Sequence, residues 1–398
     1  MIPNRLSNIG QKLPLVPGLY FNLKRLIPFF PDNLTDEQKQ FIRENSRKWQ
    51  ESDRRQEVKS HEYVLVNITT SNPTAVAALC MSGKYLAYGK HARTLFLLLN
   101  RFNTPLNRIC MSYHPDACVY FNDKDAGFDL RRKAHTEAQR MFQNLSKPEN
   151  ILTLESEGLL VGDLIYDTYL TTHRSGTIPK LDVEVFRLIK ETVHNRRYFE
   201  RIFKAFPITA VMVSSPVYNV FGLLARVALK REIEAYTTAR WTLSSLRIRR
   251  YRSLAEIRTH DGRPSEALVN TVRQHYRDKA LREAENYLQK LLNPATPAPD
   301  GAEEFNPYHA SRKTLSREEL VRALDIEPDK PIAVIMSHAL TDAVHLGNWM
   351  LFNDYLTWLR ETLSFARDNP SVNWLVKSHP AAAKFQGKDN EKNEVLSA

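Results

Sequence analysis

The sequence predicts an α/β fold built on parallel sheets covered by helices on both faces. Three observations carry this reading. Short, nearly continuous apolar runs, such as Tyr63-Val64-Leu65-Val66-Asn67-Ile68 and Ala210-Val211-Met212-Val213, have the length and composition of strands buried on both faces. Segments with helical periodicity alternate with them, as βαβ units require. The stretch Asn293-Pro294-Ala295-Thr296-Pro297-Ala298-Pro299-Asp300-Gly301 can hold neither a helix nor a central strand, and it divides the sequence in two. The expected organisation is a basic helical extension at 1–60, a first α/β domain at 61–292, a proline-rich linker at 293–315 and a second domain at 316–398.

Taken in order, Leu19, Leu23, Leu26 and Ile27 recur at helical spacing, with Lys24 and Arg25 among them, until Pro28 and Pro31 break the pattern. Thr35 and Gln38 form a capping box for a second helix to about Arg55. This basic preface suits either the inner leaflet of a membrane or packing on its own domain. After the strand at 63–68, the pattern predicts a helix at 74–82, a strand or turn at 85–88, a helix at 92–100 and a strand at 107–113. Residues 151–154 and 159–161 read as short extended pieces and 186–203 as a long helix. A strand at 210–214 leads into a helix at 219–230 with Phe221, Leu224, Val227 and Ala228 on its apolar face. A helical run occupies 266–292.

Beyond the linker, Ser316 and Glu319 make another capping box, for a helix through Leu324. Residues 331–336 read as a buried strand. A helix at 350–367 places Leu351, Tyr355, Trp358, Leu359 and Thr362 on one face, and 372–377 is the next strand. The tail after His379-Pro380 turns polar. Two strands are fewer than the roughly five or six of a doubly wound domain, so the second domain is expected to be incomplete.

Composition sets outer bounds. A hydrophobic content of 42% and an aromatic content of 10% suit a protein that buries a core. No apolar run of about 18 residues is present, and Met1-Ile2-Pro3-Asn4-Arg5 lacks the layout of a secretory signal. The expected location is the cytoplasm, peripherally at the inner membrane. Cys80, Cys110 and Cys118 form no CxxC pair and no zinc spacing, and read as small buried hydrophobes in a reducing compartment. The net charge of +11 favours anionic partners. Arg247, Arg249, Arg250, Arg252 and Arg258 crowd around Tyr251. With no nucleic-acid motif beside them, a membrane surface or an anionic substrate ranks above nucleic acid. The absence of GxSxG, GxGxxG and GxxxxGK[ST] runs removes support from serine-hydrolase, simple dinucleotide and ATPase readings.

Four segments could carry chemistry. Ser337-His338-Ala339-Leu340-Thr341-Asp342-Ala343-Val344-His345 follows a strand at its carboxyl end, where α/β sheets bind ligands. His338, Asp342 and His345 offer a base, an orienting carboxylate and a phosphate partner; a polar loop with a capping Asp accounts for them equally. Lys377-Ser378-His379-Pro380 repeats the placement, and a Lys or His there can neutralise a departing phosphate; a simple turn is the plainer alternative. Asp163 and Asp167 are four residues apart and would share a helix face as base and orienter, or act as a cap and a solvated carboxylate. Ser214, Ser215 and Tyr218 close a strand and offer hydroxyls to a sugar acceptor, or cap the following helix. His114-Pro115-Asp116 reads as a turn.

The segment 332–380, with His338, Asp342, His345, Asp354-Tyr355, Trp358-Leu359, Asn369-Pro370, Asn373-Trp374-Leu375 and Lys377 to Pro380, resembles the bacterial capsule and surface-carbohydrate biosynthesis family. Val161 to Asp167 and Ser214 to Tyr218 are similar to other segments of that family, so the resemblance spans residues 60–380. It implies a GT-B-like fold, with two Rossmann-like domains facing a cleft, the first for the acceptor and the second, incomplete here, for the nucleotide-sugar. Members of the family continue beyond the His-Pro segment, and on that expectation the present sequence is truncated at its carboxyl terminus. Relatives include Kdo transferases that use CMP-Kdo and place a His-Pro motif near the nucleotide phosphate.

Carried over, the resemblance implies donor-site roles for His379 and Pro380 and acceptor-side or catalytic roles for Asp163 and Asp167. The chemistry of the residues themselves adds His345, Lys377 and Ser378 as donor-binding candidates, His338 and Asp342 as catalytic candidates, and Ser214, Ser215 and Tyr218 as acceptor-binding candidates. The resemblance implies no metal and no cofactor beyond the nucleotide-sugar co-substrate, CMP-Kdo being the candidate. The implied partners are a glycan or lipid-linked acceptor, the inner-membrane surface and polysaccharide-assembly proteins, with no nucleic acid. The expected function is glycosyl transfer in surface polysaccharide biosynthesis. The alternatives are a non-catalytic partner that binds glycan or a complete transferase, and a sugar-nucleotide epimerase of the same architecture.

Overall fold

Six strands form the larger sheet of the computed structural model, which describes residues 34–55, 60–99, 104–122, 127–238, 248–259, 266–292, 315–347 and 350–379. The expectations for Leu19 to Ile27, for the linker at 293–314 and for Pro380 onward lie outside these residues. The first lobe begins with α1 (Asp36–Arg55), β1 (Tyr63–Ile68), α2 (Pro73–Gly89), β2 (Arg93–Leu98), α3 (Pro105–Met111), β3 (Ala117–Tyr120) and α4 (Phe128–Gln143). A 3₁₀ turn (Pro148–Thr153) and the hairpin β4 (Glu155–Ser156) and β5 (Leu159–Leu160) precede α5 (Gly162–His173) and α6 (Val183–Ala205). Then come β6 (Ile208–Val213), a π-type turn (Tyr218–Gly222), α7 (Leu223–Leu229), β7 (Glu234–Thr238), β8 (Ile248–Tyr251) and α8 (Leu254–Arg258).

The strand order is β3-β2-β1-β6-β7-β8, parallel except for β8 at the edge. Order reverses between β1 and β6, and that reversal opens a crevice at the strands' carboxyl ends. Alternation along the strands divides the core into two layers. Val64, Val66, Phe96, Leu98, Ala210 and Met212 pack with Trp49, Val76, Leu79, Cys80 and Ile109, on the side of α1, α2 and α3. Leu65, Leu95, Leu97, Val211 and Val213 pack with residues of α4 to α7, among them Ala138, Leu164, Val193 and Leu224. Cys80 and Cys110 are buried, Cys118 is half-buried, and all three are free thiols.

Sequence and structure part company in the first βαβ repeat. The segment predicted as a helix at 92–100 is strand β2, and the segment predicted as a strand at 107–113 is mostly helix α3. Leu95-Phe96-Leu97-Leu98 is a short apolar run that periodicity cannot assign; parallel pairing to β1 and β3 settles it. The start signal of α3 is Thr104, whose hydroxyl accepts from the Asn107 amide at 3.1 Å, followed by Pro105. Residues 85–88 are not a separate strand or turn but the last full turn of α2, capped at its start by Asn72. The Thr35 capping box is present, with Thr35 N donating to Gln38 Oε1 at 3.1 Å and Gln38 N to Thr35 Oγ1 at 3.2 Å. Trp49 is buried, so α1 packs on its own domain.

The second lobe follows α9 (Glu266–His275) and α10 (Arg277–Leu292). It comprises α11 (Arg317–Leu324), β9 (Ile332–Met336), α12 (Tyr355–Arg367) and β10 (Asn373–Lys377). The Ser316 capping box is formed. Strands β9 and β10 are parallel and in register, Met336 opposite Lys377. Ile335, Leu340, Leu356, Leu359 and Leu363 make a small core. Two expectations need correction. β9 is not buried on both faces, since Val334 and Met336 are exposed. The helix expected from 350 starts at Tyr355, because Asp354 accepts from the Thr357 amide at 2.7 Å as its N-cap, and Leu351 points to solvent rather than joining the packed face.

Candidate functional site

Register decides where the histidines fall. With Met336 opposite Lys377, His338 and His379 each follow their strand by two residues and emerge side by side at the carboxyl end. Their ring centroids lie 5.8 Å apart at 23°. The Tyr355 ring also stacks on His338, at 4.3 Å and 22°, so His338 joins the three rings into one tier. The two strand exits are laced together, Ser337 N donating to Lys377 O and His379 N to Ser337 Oγ, at 3.0 and 3.1 Å. His338 Nδ1 lies 3.2 Å from the Ala339 carbonyl, which can only accept. The proton therefore belongs on Nδ1 of the neutral ring, leaving Nε2 as the second functional nitrogen. His338, Lys377 and Ser378 are exposed and His379 half-buried.

The loop that carries His338 docks on the first lobe. Val344 is fully buried within the larger core. Hydrogen bonds between the lobes surround that contact. Tyr218 Oη donates to Asp342 Oδ1 at 2.8 Å, and Thr171 Oγ1 to the Thr341 carbonyl at 2.8 Å. Tyr166 Oη donates to Asp354 Oδ2 at 2.7 Å, and Asp167 Oδ1 lies 2.7 Å from His345 Nδ1. Tyr166, Asp167 and Thr171 all belong to α5. Gly162, its first residue, lets it start against the 3₁₀ turn: a Cβ there would stand 1.9 Å from the Ile151 carbonyl oxygen. Tyr218 (φ 65°) and Ala343 (φ 39°) flank the Tyr218–Asp342 bond with left-handed backbones, a conformation that strains side-chain-bearing residues.

Asp163 and Asp167 share α5 but have separate partners. Asp163 takes a two-pronged ion pair from Arg226 of α7 at 2.7 and 2.5 Å. Burial pushes the Asp163 carboxyl up, but the charge and hydrogen bonds of Arg226 outweigh it and hold it below its usual range. Asp167 is 1% exposed, and burial raises it despite the opposing bond and charge of His345. Burial would lower His345; the hydrogen bond and charge of Asp167, with Asp163 adding, carry it upward instead. Both nitrogens of His345 are occupied, Nε2 facing the Asn353 carbonyl at 3.0 Å. His345 thus holds the loop rather than presenting a free nitrogen to a ligand.

The remaining candidates are distributed as follows. Ser214 is buried and Ser215 half-buried at the end of β6, beside Tyr218. Pro380 lies outside the described residues, as does Arg247. Arg249 lies over the Tyr251 ring and Arg250 pairs with Glu234 at 3.4 Å, so the basic strand β8 is partly spent on its own sheet. Among the described residues no His, Cys, Asp and Glu cluster is arranged to hold a metal ion, and no helix is long and apolar enough to cross a membrane. A cavity lined by Glu62, Lys90, Pro207 and Glu234 lies at the amino ends of β1, β6 and β7, opposite the histidine tier. The carboxyl ends are where such sheets bind ligands, and within that cavity Lys90 is already paired with Glu234 at 2.8 Å.

Residues that sequence reasoning left out of the site are Tyr166, Asn353, Asp354, Tyr355 and Arg226. Asp354 had a readable signal, since an Asp three residues before Thr357 at a helix start is an N-cap. The others are fixed by contacts across long sequence separations. In comparisons with known proteins, no family model, no curated protein and no solved structure matches this sequence.

Proposed function

We propose that this protein is a glycosyltransferase-like component of surface-polysaccharide assembly, with the phosphate of a nucleotide-sugar held at the β9 and β10 tips. The observation that supports this reading is the pairing of His338 and His379, 5.8 Å apart at the carboxyl ends of adjacent parallel strands. Two imidazoles in that position, next to Lys377, suit a group that gathers negative charge as it leaves. A GT-B-like arrangement is favoured by the meeting of two loops: the one leaving β6 at the switch point of the large sheet touches the one leaving β9 through Tyr218 and Asp342.

The residues divide the reaction as follows. An acceptor hydroxyl attacks the anomeric carbon of the donor. The bond from that carbon to the phosphate oxygen breaks, and its electron pair leaves with the phosphate, where the imidazoles of His338 and His379, with Lys377 beside them, offset the charge. Asp342 is exposed, with one oxygen bonded to Tyr218 and the other bonded to no side chain among the described residues, and it takes the acceptor proton. Asp163 and Asp167 are committed to Arg226 and His345, which leaves Asp342 as the base among the four catalytic candidates. The first-lobe serines Ser214 and Ser215 lie beside Tyr218 on the acceptor side.

The test is a thermal-shift titration of the 398-residue protein with CMP-, UDP-, GDP- and dTDP-sugars. At least one should raise the melting temperature, and His338→Ala or His379→Ala should weaken that ligand about tenfold or more, as loss of a charge-assisted hydrogen bond predicts. A flat response to all four counts against the reading. Binding without transfer to any acceptor would favour the non-catalytic alternative, and conversion of free nucleotide-sugar without acceptor would favour the epimerase.

A further inference from the structure

A carboxylate buried as deeply as Asp167 needs a strong partner, and the described residues supply it from the opposite lobe. The His345 backbone N–H reaches both Asp167 oxygens at 3.3 Å and its Nδ1 reaches Oδ1 at 2.7 Å. The path continues through His345 Nε2 to the Asn353 carbonyl at 3.0 Å. Asn353 precedes Asp354, whose carboxylate caps α12 and accepts from Tyr166 at 2.7 Å. The first residue of α12 is Tyr355, stacked on His338. A continuous path of bonded groups thus runs from α5 to the ring tier.

We infer that Asp167 is a positioning residue that acts through His345: their hydrogen bond seats the 337–347 loop and the start of α12 on α5, and the tyrosine–histidine tier faces the first lobe only while that bond is intact. Asp167 touches no part of the tier itself. The inference deepens the nucleotide-sugar reading and rests on it for the purpose of the tier, whereas the seating of the loop can be measured without any ligand.

The pair also sets a pH dependence. A neutral His345 carries one N–H for two acceptors, the Asp167 carboxylate at Nδ1 and the Asn353 carbonyl at Nε2, so one of the two contacts loses its hydrogen and sets a ring lone pair against an oxygen. The imidazolium form makes both bonds. The groups facing the pair are Tyr166, with its ring edge 5.1 Å from His345, and Asp163 of α5, neutralised by Arg226 of α7. Tyr218 adjoins it from the π-type turn, Asp342 from the loop itself, and Asp354 and Tyr355 from the start of α12. His345 is raised in the folded protein, so its contribution is complete below its ordinary value of 6.5 and is lost as pH climbs through the raised value.

The experiment is hydrogen–deuterium exchange on the 398-residue protein at about pH 6 and pH 9, corrected for intrinsic exchange, with peptides of β1 and β2 as internal reference. Peptides covering 341–347 and 353–359 should lose protection severalfold at the higher pH, the direction that a raised His345 sets, while the reference stays within about twofold. Asp167→Asn can donate to neutral Nδ1 and should make loop protection insensitive to pH. Tyr166→Phe should lower protection but keep the pH response. Wild-type protection that does not change with pH, or an Asp167→Asn response equal to wild type, overturns the inference.

CMP serves as the ligand probe in the same buffers. Equal CMP affinity at both pH values despite lost loop protection also overturns it. A loop that responds as expected while no nucleotide binds leaves the seating intact and removes the nucleotide-sugar reading instead.

Discussion

At the scale of single residues, the two aspartates of α5 show how far pattern carries. Their four-residue spacing was legible and does put them on one helix. Their partners were not, because Arg226 is 63 positions from Asp163 and His345 is 178 from Asp167. Spacing names a face; only packing names what meets it. Removing one member of the Asp163–Arg226 pair leaves the other charged and largely buried, with side-chain exposures of 16% and 4%. Asp163→Ala should therefore lose about 3–5 kcal/mol in urea unfolding at neutral pH. Asp163 is held below its ordinary value of 3.8, so its contribution is present above that value and disappears as pH falls through the lowered one. The gap between wild type and variant should accordingly narrow on acidification below about pH 4.

At the scale of elements, the strands and capping boxes with unambiguous signals were readable. Thr35, Ser316 and the runs at 63–68 and 210–214 behave as their chemistry dictates, the second strand starting two residues earlier and ending at Val213. The exchange of helix and strand between 92 and 113 has a physical cause: a four-residue apolar core segment fits a buried helix turn and a buried strand alike, and the sheet decides. Glycines separate two outcomes of one substitution. Gly162→Ala would force a methyl into the Ile151 carbonyl and shift the start of α5, with an expected loss near ~3 kcal/mol, at the upper end of overpacking effects. Gly89→Ala, at the end of α2 with nothing within 4 Å of the new methyl, should be neutral or gain up to about 1 kcal/mol. Chemical denaturation of the two variants side by side checks both values, and equal effects would contradict the packing described at Gly162.

For the whole molecule, the informative residue is Val344. It carried no signal in the sequence, being one apolar residue in a polar loop, yet it is buried in the core of the larger lobe. Together with the hydrogen bonds around it, Val344 should couple the unfolding of the smaller lobe to that of the larger one. A single calorimetric transition is expected for the wild-type protein at pH 6. Val344→Asp buries a charge without a partner and should split that transition, the lobe of β9 and β10 melting first. One transition in that variant at the wild-type temperature would show that the lobes do not depend on this anchor.

The in-phase pairing of β9 and β10 has a consequence of its own. Neighbouring positions of a strand point to opposite sides, so deleting any one residue between Ile332 and His338 would turn one imidazole away from the other. Amino-acid content and hydropathy would scarcely change. The nearness of the two rings is thus a matter of phase between two short strands, erased by the smallest change in their residue count.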